Sequence, residues 1–134
     1  MPKEFESFAQ GRFALEIRQK GKIIFRSKEE GVGGLLTFIQ KHGQSRYRDL
    51  IIFDRIIGRA AALLFAYLKA KEVYGVIGSK AAARALKKFK IKFYFKKTVI
   101  GILNKRKTGP CPMEKLSRVK TPKELYNLLM QRRQ

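Results

Sequence analysis

Cysteine and histidine are almost absent from this sequence, which holds Cys111 and His42 as its single examples of each. One cysteine cannot form a disulfide within the chain. A structural zinc site takes four ligands, mostly cysteine and histidine, so one of each cannot complete it. We therefore expect no zinc and no other metal centre. The sequence does not identify a cofactor.

Long apolar runs are also missing. The longest, residues 60–68, has nine residues, whereas a membrane-spanning helix requires about 20. The opening segment carries acidic residues and lacks the apolar stretch of a signal peptide: MPKEFESFAQ. These absences predict a cytoplasmic protein with no membrane partner. A chain of 134 residues, 45% of them hydrophobic, has the size of one domain with a single core, and we predict one domain over residues 1–134.

Acidic residues are few, 10 against 31 lysines and arginines, which gives a net charge of +21. Residues 80–134 hold 17 basic and 2 acidic side chains, against 14 and 8 in residues 1–79. Such a charge favours polyanionic partners through counterion release, but it equally keeps a small protein soluble. A nucleic-acid-binding surface is therefore one alternative, with Tyr94 stacking on bases among four basic residues: Lys80, Arg84, Lys92 and Lys96.

The spacing of apolar residues predicts the order of the elements. A β-hairpin is expected over residues 12–26, with its turn at Lys20-Gly21. Strands around residues 50–53, 72–77 and 91–96 alternate with helices around residues 35–39, 57–68, 79–89 and 121–133. The last helix begins at a capping box formed by Thr121 and Glu124. This order predicts a three-layer α/β domain, a mixed sheet with helices on both faces, to which helix 121–133 is appended.

Two short strings are the most specific features: DRIIGRAAA over residues 54–62 and CPME over residues 111–114. Together with the order of elements, they resemble a small prokaryotic family of unknown function. Its members have a cytidine-deaminase-like fold and carry similar D-x-x-x-G-[KR]-A-A-A and C-P-M-E strings. The resemblance runs from the hairpin to Glu114, with Ser79 as a weaker anchor, and leaves out the C-terminal helix. It implies a cytidine-deaminase-like mixed sheet.

The resemblance does not extend to the zinc ligands of the true deaminases. Those enzymes carry a His/Cys-x-Glu at one helix start and a Pro-Cys-x-x-Cys at another. This sequence has Gly33-Gly34-Leu35 and Gly58-Arg59-Ala60 in those places. The family likeness therefore implies the fold without zinc-dependent deamination.

Ligands of open α/β sheets bind beyond the carboxyl ends of the strands, where we expect Asp54, Gly58 and Ser79 to converge. Asp54 would accept a hydrogen bond from a ribose hydroxyl or act as a base, Arg59 would pair with phosphate, and Gly58 would leave room for the ligand. The alternative is structural: Asp54 caps the next helix, Gly58 relieves packing and Arg59 is solvated. The first interpretation predicts a site for a nucleotide-like or otherwise phosphorylated small molecule.

Cys111 precedes Pro112 and Glu114, a pattern typical of a helix start, where a thiol can have a lowered pKa. His42 lies in a polar stretch that indicates a loop, so no histidine is paired with the thiol. Cys111 is therefore either a nucleophile or a small residue at a tight turn, and with Glu114 it would close the ligand site.

Three functions stay open. The first is a protein that binds a small phosphorylated ligand, the second an enzyme acting on such a ligand through Asp54 or Cys111, and the third a basic nucleic-acid-binding module. Each is compatible with a homo-oligomer.

Overall fold

A computed structural model describes residues 2–44, 47–102, 116–117 and 121–133. Within these residues the chain forms, in order, α1 (Lys3–Gln10), β1 (Leu15–Gln19), β2 (Lys22–Ser27), α2 (Gly33–His42), β3 (Ile51–Ile57), α3 (Arg59–Tyr67), β4 (Glu72–Ser79), α4 (Lys80–Lys88), β5 (Lys92–Val99) and α5 (Pro122–Arg133). None of these helices is long and apolar enough to span a membrane.

The five strands form one mixed sheet in the order β2-β1-β3-β4-β5. β1 is antiparallel to β2 and β3, whereas β3, β4 and β5 are parallel. The predicted hairpin is confirmed: Lys20 and Gly21 have positive φ angles of 49° and 79°, which a two-residue hairpin turn of type I′ requires. The predicted α/β class with a mixed sheet is therefore confirmed.

The sheet separates two apolar clusters, because successive side chains of a strand point to opposite faces. Ile52 belongs to the larger cluster, which also holds the buried apolar residues of α2, α3, α4 and α5. We name this side the α3 face. Phe53 belongs to the smaller cluster, together with Tyr74 and with Phe5 and Phe8 of α1, and we name this side the α1 face. Helix α1 was not predicted from the sequence.

Strand β3 is longer than predicted, and Asp54 lies in its middle rather than at its end. Asp54 is opposite Leu15 of β1, and pairing with β4 continues as far as Ile57 and Gly78. Two neighbouring strands therefore hold the backbone of Asp54 extended, which outweighs the low strand propensity of aspartate. The N-cap of α3 is Gly58. The structural alternative in which Asp54 caps this helix is wrong.

Helix α5 begins at the predicted capping box. The backbone N–H of Thr121 donates to Glu124 Oε1 at 3.1 Å, and the backbone N–H of Glu124 donates to Thr121 Oγ1 at 3.2 Å. Leu125 and Leu129 are buried in the larger cluster. The helix therefore contributes to the core on the α3 face.

Candidate functional site

The carboxyl edge of the parallel strands brings two helix starts together. Ile57 of β3 pairs with Gly78 of β4, so the next residues, Gly58 and Ser79, are neighbours as well. They are the N-cap residues of α3 and α4. The structure therefore brings Gly58, Arg59 and Ser79 to one edge, where the backbone N–H groups and dipoles of two helices favour an anion.

The two helix starts differ in how their donors are satisfied. Ser79 is completely buried, and its Oγ accepts a hydrogen bond from the backbone N–H of Ala82 at 3.0 Å, so its side chain caps α4. Gly58 has no side chain, and the first turn of α3 has no acidic residue. The first hydrogen bond of α3 runs from Ala62 N to Gly58 O at 3.1 Å, so the N–H groups before Ala62 have no acceptor within the helix.

The structural alternative predicted that Arg59 is solvated, and this is wrong. Arg59 is half-buried, and its Nε donates to the carbonyl of Ser117 at 3.0 Å. Ser117 is itself completely buried. Arg59 therefore ties the start of α3 to the segment before α5, and an anion at this edge would share Arg59 with that carbonyl.

Asp54 lies behind this edge, four residues before Gly58, or about 13 Å along an extended strand. Its side chain points to the same face as Ile52, the α3 face, and the residue is 7% exposed. Burial raises the pKa of Asp54 well above its ordinary value, although the backbone N–H groups of Arg55 and Ile56 and the charge of Arg55 lower it in part. Asp54 is therefore a buried titratable group near the site rather than a residue of its rim.

The predicted roles of Cys111 and Glu114 fall outside the described residues and stay predictions. His42, which was expected in a loop, is the last residue of α2. Its ring lies on that of Phe38, four residues earlier on the same side of the helix, with centroids 4.8 Å apart. In the part of the chain that the structure describes, no three side chains of histidine, cysteine, aspartate or glutamate are grouped to hold a metal ion.

The five residues of the predicted nucleic-acid surface are divided between the two faces of the sheet. Helix α4 packs on the α3 face and carries Lys80 and Arg84 on its exposed side. The side chain of Phe95 on strand β5 points to the same face. Because side chains alternate along a strand, the other three residues lie on the α1 face: Lys92, Tyr94 and Lys96.

Two residues of this β5 group contact α1. The ring of Tyr94 meets that of Phe5 edge to face, with centroids 6.4 Å apart. Lys96 Nζ lies 3.0 Å from a carboxylate oxygen of Glu6. The five predicted residues therefore do not form one basic surface with a stacking platform.

The hairpin also carries an ionic cluster that was not predicted from the sequence. Glu16 accepts hydrogen bonds from Arg18 and Arg26 on the α1 face. A signal was available, because Glu16 and Arg18 alternate with the apolar Leu15 and Ile17 and so point away from the main core. Because α1 was not predicted, no element was expected to cover that face of the hairpin.

Comparison with known proteins identifies relatives by sequence and by fold. The family model described as "TM1506: Domain of unknown function (DUF1893)" matches residues 5–132, which include the C-terminal helix except its last residue. The crystal structure of a DUF1893 family protein from Thermotoga maritima is similar with a TM-score of 0.83 and 20% sequence identity, covering 98% of this chain and 92% of that chain. At this identity the likeness shows the fold alone. No curated protein matches the chain.

Proposed function

The chain belongs to the DUF1893 family, whose function is unknown, and we propose that it binds a small phosphorylated ligand at the edge where α3 and α4 begin. The start of α3 is the observation that carries this proposal. Its N-cap, Gly58, offers no capping side chain, and its first residue is Arg59. The charge of Arg59 adds to the positive end of the helix dipole, and together they favour an anion. A phosphate group there would accept hydrogen bonds from the backbone of α3 and from Arg59.

We also infer that the fold is cytidine-deaminase-like, as the sequence resemblance implies. The order of a hairpin, a helix and then parallel strands alternating with helices supports this inference. Helices on both faces support a three-layer arrangement. Nucleotide-like ligands fit this proposal, and the absence of zinc stays a prediction.

A melting-temperature panel tests the proposal with nucleoside phosphates and sugar phosphates at physiological salt. A ligand present at 100 times its Kd stabilises the folded state by about 2.7 kcal/mol, so a matching ligand should raise the Tm by several degrees. Arg59→Ala should abolish that rise. Because this change also removes the hydrogen bond to the Ser117 carbonyl, about 1 kcal/mol of ligand-free stability should be lost, and each variant is compared with its own ligand-free form.

Arg84→Ala is the matched control, because it removes the same charge from an exposed position of α4. We expect Arg84→Ala to keep the full ligand-dependent rise in Tm. A panel without any rise contradicts the proposal. Equal loss of the rise in both variants would assign the effect to net charge instead of to the start of α3.

Asp54 favours a second candidate, an enzyme acting on the same ligand. A carboxyl group whose pKa is raised by burial is suited to proton transfer nearer neutral pH, and Asp54 has such a pKa. Because Asp54 lies four residues before Gly58 on β3, this candidate requires a ligand that extends from the edge toward Asp54. Asp54→Asn should then abolish turnover of the ligand found by the panel while keeping its Tm rise. Unchanged turnover would remove Asp54 from the reaction and leave Cys111 as the proposed nucleophile.

The nucleic-acid-binding module is a weaker proposal, because its five residues are divided between two faces. The charge of the chain should still produce association with RNA or DNA at low salt through counterion release, and this association should weaken steeply toward physiological salt. Low-salt binding alone therefore does not indicate a dedicated surface.

A further inference from the structure

A cavity of about 370 Å³ lies on the α1 face, between α1 and the β1–β2 hairpin. Its volume is within the range of about 300–1,000 Å³ found for small-molecule sites. Phe8 and Phe13 supply apolar wall. The charged lining consists of four cations and two carboxylates: Arg12, Arg18, Arg26, Lys28, Glu4 and Glu16. Positive charge therefore exceeds negative charge in this cavity.

Glu16 fixes the orientation of two of these arginines. It is 2% exposed, and its two carboxylate oxygens accept from Arg18 Nε at 2.6 Å and from Arg26 Nε at 3.0 Å. Both bonds use Nε. The terminal amino groups of Arg26 donate no hydrogen bond to any residue that the structure describes, so they are available to a ligand.

Aromatic rings contact three of the four cations of the cavity. The guanidinium carbon of Arg26 lies 4.7 Å from the ring centroid of Phe13, and Lys28 Nζ lies 5.6 Å from that centroid. The guanidinium carbon of Arg18 lies 5.5 Å from the centroid of Phe53. Cation–π contacts of this kind restrain the side chains, and restrained side chains lose less conformational freedom when a ligand binds.

Neutralising Glu16 does not account for the whole cluster. Arg18, with 16% of its side chain exposed, already pairs with the buried carboxylate. Arg26 adds a second guanidinium with 44% of its side chain exposed, and Arg12 and Lys28 add further charge at the cavity wall. A structural ion pair would need one of these four cations.

We propose that this cavity is a second binding site, separate from the α3–α4 edge, for a phosphorylated small molecule. Arginine forks match the oxygen geometry of phosphate, and Arg26 presents such a fork with its Nε held by Glu16. The neighbouring helix argues against a nucleic-acid strand, because Glu4 and Glu6 of α1 interrupt the basic surface.

Pyrophosphate is the probe, measured by calorimetry at physiological salt and mapped by amide NMR shifts. Arg26→Gln should weaken pyrophosphate binding at least about tenfold, which is about 1.4 kcal/mol, and Lys28→Gln should weaken it less. Lys22→Gln is the matched control, since it removes one charge from the same strand at an exposed position outside the cavity. It should leave the affinity within about twofold. Amide shifts should occur at residues 12–18 and 26–28.

Three results would overturn this proposal. Equal weakening by Lys22→Gln and Arg26→Gln would assign the binding to net charge. Amide shifts confined to residues 58–62 and 79–82 would place pyrophosphate at the α3–α4 edge, which supports the proposed function and rejects the second site. An oligonucleotide that binds at this cavity at physiological salt when pyrophosphate does not would identify a nucleic-acid surface.

Discussion

Replacing Arg55 with methionine should release the end of α1 from the sheet. Arg55 lies on β3, and its guanidinium donates five hydrogen bonds of 2.9–3.2 Å to backbone carbonyls at and after the end of α1. The last turn of α1 has no basic residue of its own. Arg55 therefore supplies both the donors that the last carbonyls lack within the helix and the positive charge that this end of a helix favours. The four carbonyls belong to Phe8, Ala9, Gly11 and Phe13.

The expected loss in the free energy of unfolding is about 2–4 kcal/mol. One hydrogen bond to a charged donor contributes about 1.5–3 kcal/mol, and a partly buried cation at a helix end up to about 2 kcal/mol. These contributions do not add, because one guanidinium makes all five bonds and water can reach the carbonyl of the exposed Gly11. Burial of Phe5 and Phe8 contributes about 1.5–3 kcal/mol for each side chain, so α1 should stay partly docked.

Urea unfolding measures this loss, and amide hydrogen exchange locates it. In Arg55→Met, the amides of residues 5–11 should exchange faster while those of β4 stay protected. Arg55→Lys keeps the charge without the fork and should give an intermediate loss. Arg84→Met is the control for the same substitution at an exposed site. A loss in Arg55→Met no larger than in Arg84→Met would refute the reasoning, as would an equal rise in exchange across the whole sheet.

Two further predictions concern ionisable groups. Burial raises the folded-state pKa of Asp54, so the stability that its protonation provides is full below its ordinary pKa and is lost as the pH rises through the raised value. The free energy of unfolding of Asp54→Asn should therefore exceed that of the unsubstituted protein near pH 8. Urea unfolding at a series of pH values should show this difference becoming smaller toward pH 3. Burial and the hydrogen bond to Glu72 raise the pKa of Tyr74 to about 12, so its contribution to stability is present below about pH 10 and lost as the pH rises toward 12. An absorbance titration should show a tyrosine ionising near pH 12 that Tyr74→Phe lacks, and a variant that keeps this step would contradict the assignment.

Helix α4 has a regular apolar stripe, and the sequence predicted it correctly. Helix α4 combines the Ser79 cap with buried residues such as Ala82 and Leu86 at helical spacing. Helix α1 was missed, because Phe5 and Phe8 are its two buried residues within an eight-residue, mostly polar segment. Those rings fill the α1 face of the sheet, and a short helix of this kind depends on packing more than on its own propensity.

The position of Asp54 in the middle of β3 could not be predicted from the local sequence. An aspartate after an apolar run is typical of a strand end, since aspartate is depleted in strands. Its backbone is nevertheless held by β1 and β4, and pairing partners are not visible in a local pattern. The division of the predicted nucleic-acid residues between two faces has the same cause. Alternation places Lys92 and Lys96 on one side of β5, but the sequence does not show on which side of the sheet α4 packs.

The contacts of the cations divide them into two groups. Lysines on the exposed side of α4 would attract a polyanion through counterion release, which weakens steeply with salt. Arg18, Arg26 and Arg59 are each held by a carboxylate or a carbonyl oxygen, so they would act on a bound anion at short range, where screening is weaker. Binding that survives physiological salt should therefore depend on these arginines, all of which lie in residues 1–79, the part of the chain with the smaller net charge. The C-terminal excess of lysine predicts how strongly the protein attracts polyanions, and the arginines held in place predict where a specific anion would bind.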